Sequence, residues 1–197
     1  MPIRQTKRLR PFVSFGLFAL LLAASTAGVA KTAEKVEKQR AEVREQSESV
    51  LARLYQASPS ARGAVESSAG YATFRNVGIR FGVAGGGRGN GLAVDRASGA
   101  ETFMRFVEVQ AGVGAGIKKY DLIFVFDDRA ALENFVTTGW EYGGQATAAA
   151  KVGDRGKAYS GAISVSPGVW VFQLTSAGLA AEASVKGSKY YPDKTLN

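Results

Sequence analysis

The sequence predicts an α+β fold, a twisted antiparallel sheet with an N-terminal helix and one further helix packed on it. Three observations predict it. Residues 78–91 and 109–117 are glycine-punctuated stretches with a period of two. Residues 121–126, Asp-Leu-Ile-Phe-Val-Phe, form a short β-prone apolar run. Residues 31–57 contain no Gly or Pro and are rich in Ala, Glu, Lys, Arg and Gln, the composition of a helix. Glycine on alternate strand positions lets a sheet bend sharply. A small closed barrel is therefore one outcome and an open twisted sheet the other.

The chain opens with a pattern of its own. Arg4, Lys7, Arg8 and Arg10 precede an apolar stretch over residues 12–24, and Gly28-Val29-Ala30 supplies small residues after it. These features predict a secretory signal peptide over residues 1–30, cleaved after Ala30, and a periplasmic or secreted product. The apolar stretch is shorter than the roughly 20 residues of a membrane span. The chain has no cysteine, which excludes a lipid-modified cysteine and disulfides, and no histidine. Ser-His-Asp and Cys-His catalysis and His- or Cys-based zinc sites are thereby excluded. The formal charge is +8, with 25 Lys and Arg against 17 Asp and Glu. Removing the four leader cations leaves 21 against 17, or +4. That bias suits an anionic membrane surface or wall polymer and not nucleic acid.

Within residues 31–57, Val36, Val43 and Val50 stand seven apart, and Leu51, Leu54 and Tyr55 thicken the stripe. Arg40 and Ser47 interrupt it. The end near Leu54 is expected to dock and the start to be solvated, the alternative being a helix lying on a membrane. Ser58-Pro59-Ser60 ends this helix, residues 61–69 predict a short one closed by Gly70, and residues 71–77 enter the sheet.

Ile79, Phe81 and Val83 then alternate with Gly78, Arg80 and Gly82. Gly85, Gly86, Gly87, Gly89 and Gly91 break that pattern. They predict a β-hairpin tip carrying Arg88, with Asn90-Gly91 as its turn. Alanine at Gly89 should be mild on such a tip. In the second ladder Gly112, Gly114 and Gly116 share one face, where a neighbouring chain can approach closely, so Gly114→Val should be severe. Between the ladders lie a turn at 95–99 and a strand at 101–110. After residues 121–126, Asp127 or Asp128 caps a helix through Thr138. Ala131, Leu132, Phe135 and Val136 form its buried face, and Gly139 is its C′ residue. Short strands follow at 140–150, 158–165, 169–175 and 179–186. In the pair at 169–186, Val169, Val171 and Gln173 share one face and Trp170, Phe172 and Leu174 the other. The ordered part is expected to end at Tyr190-Tyr191-Pro192.

Arg80, Arg88, Lys118 and Lys119 flank the ladders and would share one rim if the ladders pair. Arg forks and Lys point charges both suit a phosphate. Lys151, Arg155 and Lys157 make a second cluster. No Gly-x-Gly-x-x-Gly and no Gly-Lys-Ser/Thr occurs, so no nucleotide is expected, and no cofactor or metal. Two carboxylates suffice for a glycosidase, and Asp95, Glu101, Glu108, Asp121, Asp127, Asp128 and Glu141 are available.

Tyr71-Ala-Thr-Phe-Arg-Asn-Val-Gly with the stretch 78–91 resembles the SYLF-domain family. So do Ala111-Gly-Val-Gly-Ala-Gly-Ile, strand 121–126, Ala130-Ala-Leu-Glu-Asn-Phe and Lys189-Tyr-Tyr. The resemblance covers about residues 50–192 and implies a SYLF-like β-rich domain over residues 58–197. It implies lipid binding, through phosphoinositides in eukaryotic members, some of which also bind and bundle actin. Bacterial members are mostly exported. The expectation is an exported, non-catalytic protein that contacts anionic phospholipid, or a membrane surface, through a basic glycine-rich surface. An envelope scaffold with protein partners and a carboxylate-based hydrolase are the alternatives.

Overall fold

A computed structural model describes residues 16–142, 159–180 and 187–197; the side chains of residues 16–31, 80, 82–84, 110–114, 118 and 142 lie outside the described set. The elements are α1 (Gly16–Ala57), α2 (Ala61–Ser67), β1 (Gly70–Asp95), β2 (Glu101–Phe126), α3 (Arg129–Thr138), β3 (Trp140–Tyr142), β4 (Ile163–Ser166), β5 (Val169–Thr175), β6 (Gly178–Leu179) and β7 (Ser188–Pro192). No described helix is long and apolar enough to cross a membrane. Residues 39–197 form one compact unit, which holds the sheet.

β1 and β2 are 26 residues each and pair antiparallel from Gly70↔Phe126 to Val94↔Glu101, with one irregularity between Gly82 and Ala84. The expected turn at Asn90-Gly91 is not there. Arg88 lies within β1, opposite Val107. The true turn is at Asp95, whose carboxylate accepts from the N–H groups of Ala97 and Ser98, while Gly99 takes φ +70°.

The glycines do different work. The hairpin bends back on itself, so its turn returns to its base and Arg96 N–H donates to the Ala69 carbonyl at 3.1 Å. A Cβ on Gly89 would lie 2.1 Å from the Arg75 carbonyl oxygen, and one on Gly91 2.3 Å from the Phe74 ring. Close backbone approach and tight turns both demand glycine, and here close approach is the reason. Gly89 is therefore no mild position. The second ladder differs again, because a Cβ on Gly116 would meet nothing within 4 Å. Gly82 pairs with Gly114; the Gly114→Val expectation concerns a side chain outside the described set.

The strand order is β3-β7-β2-β5-β4, with β1 on β2 and β6 on β5. Every pair is antiparallel, and the sheet curls into a half-barrel. Its inner face packs Phe74, Phe106, Phe124 and Tyr190 against Phe135 of α3, with ring centroids 4.9 Å apart for Phe74–Tyr190 and 5.4 Å for Phe124–Phe135. Such aromatic pairs add to the burial term that dominates folding. The outer face carries Ile123, Val125, Trp170, Phe172 and Leu174, covered by Val50 and Leu54 of α1 and by Ala61 and Val65 of α2. β5 divides its side chains between the faces as its alternation predicts.

The stripe-breaking residues of α1 are docking contacts. Ser47 is buried and accepts a hydrogen bond from Thr73 Oγ1 at 2.8 Å. Arg40 donates to the Leu196 carbonyl at 2.7 Å. Asp128 caps α3 by accepting from Ala131 N–H at 2.7 Å, and Gly139 follows with φ +78°. Two boundaries move. Gly70 begins β1 and does not close α2. Order also runs past Pro192, because Asp193 N–H and the Asn197 side chain both donate to the Phe103 carbonyl. Of the later strands expected from sequence, the parts over 143–158 and 181–186 lie outside the described residues, and Lys151, Arg155 and Lys157 with them.

Candidate functional site

The bend of the β1–β2 hairpin carries the site. Six large apolar side chains are exposed among the described residues, and all lie on these two strands near the bend. Phe81 is 84% exposed, Val109 75%, Ile117 69% and Ile79 60%, with Val77 and Val107 at about half those values. Register groups them. Ile79 is opposite Ile117, and Val77 and Phe81 sit two residues to either side on the same face. Isolated exposed apolar residues are ordinary, whereas a contiguous apolar patch marks an interaction surface.

Two grooves flank the bend. One, of about 1060 Å³, is lined by Val77, Ile79, Arg88, Val107, Arg75 and Arg105 among others. The other, of about 360 Å³, is lined by Lys119, Arg53, Asp121 and Tyr120, and shares Arg75 and Val77 with the first. The two described cations expected to form one rim, Arg88 and Lys119, thus line neighbouring grooves. Both are exposed and neither pairs with a described residue. For Arg80 and Lys118 only the backbone is described. Arg80 is opposite Gly116 and Lys118 opposite Gly78, so both positions fall on the bend.

The arginines absent from the sequence prediction, Arg75 and Arg105, are anchored. Arg105 Nε donates to Asp193 at 2.6 Å. Buried Asp121 accepts from Arg75 Nε at 3.3 Å and also from Arg53 of α1. Asp193 balances Arg105, whereas the single Asp121 is shared by Arg75 and Arg53 and leaves one positive charge there.

Under the bend lies a buried polar hub. Tyr120 Oη donates to Glu108 at 2.5 Å, and Asn76 Nδ2 donates to the same oxygen at 3.1 Å. Burial, then the bond to Glu108, pushes the Tyr120 phenol up, and burial does the same to Tyr190. Gly87 closes over the hub, since a Cβ there would lie 2.9 Å from Asn76 Oδ1.

The other carboxylates named as glycosidase candidates are engaged within the fold. Asp127 accepts from Tyr159 Oη at 2.5 Å and Trp170 Nε1 at 2.9 Å. Glu101 pairs with Arg44 at 2.8 Å and Glu141 with Lys189 at 3.2 Å. Among the described residues, no three His, Cys, Asp or Glu side chains gather as a metal site would require.

Residues 107–197 match the family model described as "Ysc84: Las17-binding protein actin regulator". The chain carries a Ysc84 (SYLF) domain. The matched span begins at Val107 and takes in Val109, Ile117 and Lys119 on the β2 side of the bend. The SYLF chain is also similar to "Beta cell expansion factor A" of Aeromonas veronii, with 30% identity over 170 residues. That alignment covers 84% of this chain and 60% of the relative's length. The apolar bend was only half legible. Ile79 and Phe81 stand out in β1, but Val107, Val109 and Ile117 look like any inward-facing strand face until the fold leaves them uncovered.

Proposed function

We propose that this SYLF protein binds lipid membranes without catalysis, laying the apolar bend into an anionic bilayer surface. The observation that carries the reading is the exposure of Phe81, Ile79, Ile117 and Val109 together on one bend. In water this patch is a standing cost, which transfer into a hydrocarbon boundary removes at about 25 cal/mol per Å². Arg88 and Lys119 beside it would meet anionic headgroups, each contributing about 1 kcal/mol. The engagement within the fold of the carboxylates named from the sequence, such as Glu108, Asp121 and Asp127, supports a non-catalytic role.

Co-sedimentation with vesicles of phosphatidylglycerol and phosphatidylcholine tests this. Phe81→Ser should weaken binding about ten- to hundredfold, the equivalent of withdrawing one buried aromatic side chain. Unchanged binding would sink the reading. A protein partner could cover the same patch, and the family's description as Las17-binding favours that alternative. A parent protein that ignores vesicles of both compositions would establish it as the better account.

The protein acts outside the cytoplasm in this proposal, after loss of residues 1–30. The basic start, the apolar stretch and Gly28-Val29-Ala30 support it. Mass spectrometry of the exported protein should find Lys31 first, and a retained Met1 would contradict it.

A further inference from the structure

We propose that the larger groove beside the bend is a binding site for one anionic phospholipid molecule, held head-first on Arg88. This deepens the membrane reading and rests on it for the direction of the acyl chains. The groove measures about 1060 Å³, at the upper end of the range for ligand sites. Among the described residues its lining contains three arginines and no carboxylate. Arg105 is balanced by Asp193, and Arg75 shares Asp121 with Arg53. Arg88 has no described acid partner and is the guanidinium left for a ligand.

A guanidinium presents paired N–H donors that match two oxygens of a phosphate. Gly86, Gly87 and Gly89 line the groove on either side of Arg88. The apolar part of the lining leads away from that charge. Val107 is the cross-strand partner of Arg88, and Val77 and Ile79 lead along β1 towards Phe81. A phosphate on Arg88 therefore sends its acyl chains along these side chains to the bend, where the bilayer would lie. Arg105 is held by Asp193, and Arg75, which shares Asp121 with Arg53, adds positive charge at the polar end.

The test uses dihexanoyl phosphatidylglycerol kept below its micelle concentration, titrated calorimetrically into the full chain. Saturable binding of one lipid per chain is expected. Dihexanoyl phosphatidylcholine, with no net charge, should bind at least about tenfold more weakly, as should phosphatidylglycerol to Arg88→Ser. Asn90→Trp fills the groove from an exposed position and should abolish binding of the single lipid. Melting curves like the parent's qualify both variants, and if Asn90→Trp melts early then Arg88→Ser decides alone.

Equal binding of the two lipids, or parent-like binding by Arg88→Ser, would overturn the proposal. So would glycerophosphoglycerol, the headgroup without chains, competing as well as the lipid, since the site would then be one for phosphate. A parent that binds vesicles but no single lipid loses the groove and keeps the membrane reading. A parent that binds the single lipid and ignores vesicles does the reverse.

Discussion

The two ends of the β1–β2 hairpin are built from the same two strands with the same alternation, and they have opposite fates. At the base, Ile123 and Val125 are fully buried beneath α1 and α2, while Phe124 and Phe126 are buried in the half-barrel against α3. At the bend, Ile117 occupies the same face of β2 as Ile123 and is 69% exposed. Ile123 stands in the apolar run 121–126 and Ile117 between Gly116 and Lys118, yet strand alternation puts both on one face. The difference lies in what the rest of the chain covers. Burial is concentrated at the base, and the bend leaves its apolar side chains exposed. A surface that is both apolar and uncovered contributes little to folding, and the membrane proposal rests on it.

The largest effect should come from the seam where the hairpin folds over itself. Gly89→Ala would push a methyl into the Arg75 carbonyl, and backbone there cannot step aside without breaking the strand. A loss of about 3 kcal/mol or more, at the top of the overpacking range, is expected in thermal or denaturant melts. A melt like the parent's would mean that the two halves are not in contact.

The sharpest comparison pairs the two isoleucines. Ile123→Ser should cost about 3–5 kcal/mol of stability, through the cavity and the buried hydroxyl. Ile117→Ser should change stability by no more than about 0.5 kcal/mol. Its effect should appear in vesicle co-sedimentation instead. Equal losses of stability would erase the distinction between base and bend.

The smallest effect should be that of Lys119→Ser, which removes one exposed cation. Binding to phosphatidylglycerol vesicles should weaken by about 1 kcal/mol, roughly fivefold. The difference should shrink as salt is raised, because exposed charges are screened. A loss that persists in high salt would show that Lys119 makes a specific contact in its own groove.

Much of the fold was legible because local chemistry encodes it. An α3 cap at Asp127 or Asp128, of which the structure uses Asp128, and the stop at Gly139 follow from residue types, as does the division of β5 between two cores. The glycines of 85–91 misled for an equally physical reason. A glycine signals that a side chain is not tolerated or not needed, but not whether a turn or a neighbouring backbone is responsible. Ser47 was similarly opaque, since a polar residue in an apolar stripe looks solvated until Thr73 is placed opposite it.

The sequence by itself determined the helices, the antiparallel strands, the family and the exclusion of His and Cys chemistry. Those depend on composition and on periods of two and 3.6 that neighbouring residues carry. Tertiary structure alone decided that two long strands fold back on themselves, that Arg88 and Lys119 serve separate grooves, and that one apolar end of the hairpin stays bare. Contacts between residues far apart in the chain make those decisions. Arg75 against Gly89 and Asp193 against Arg105 are such contacts, and no local pattern records them.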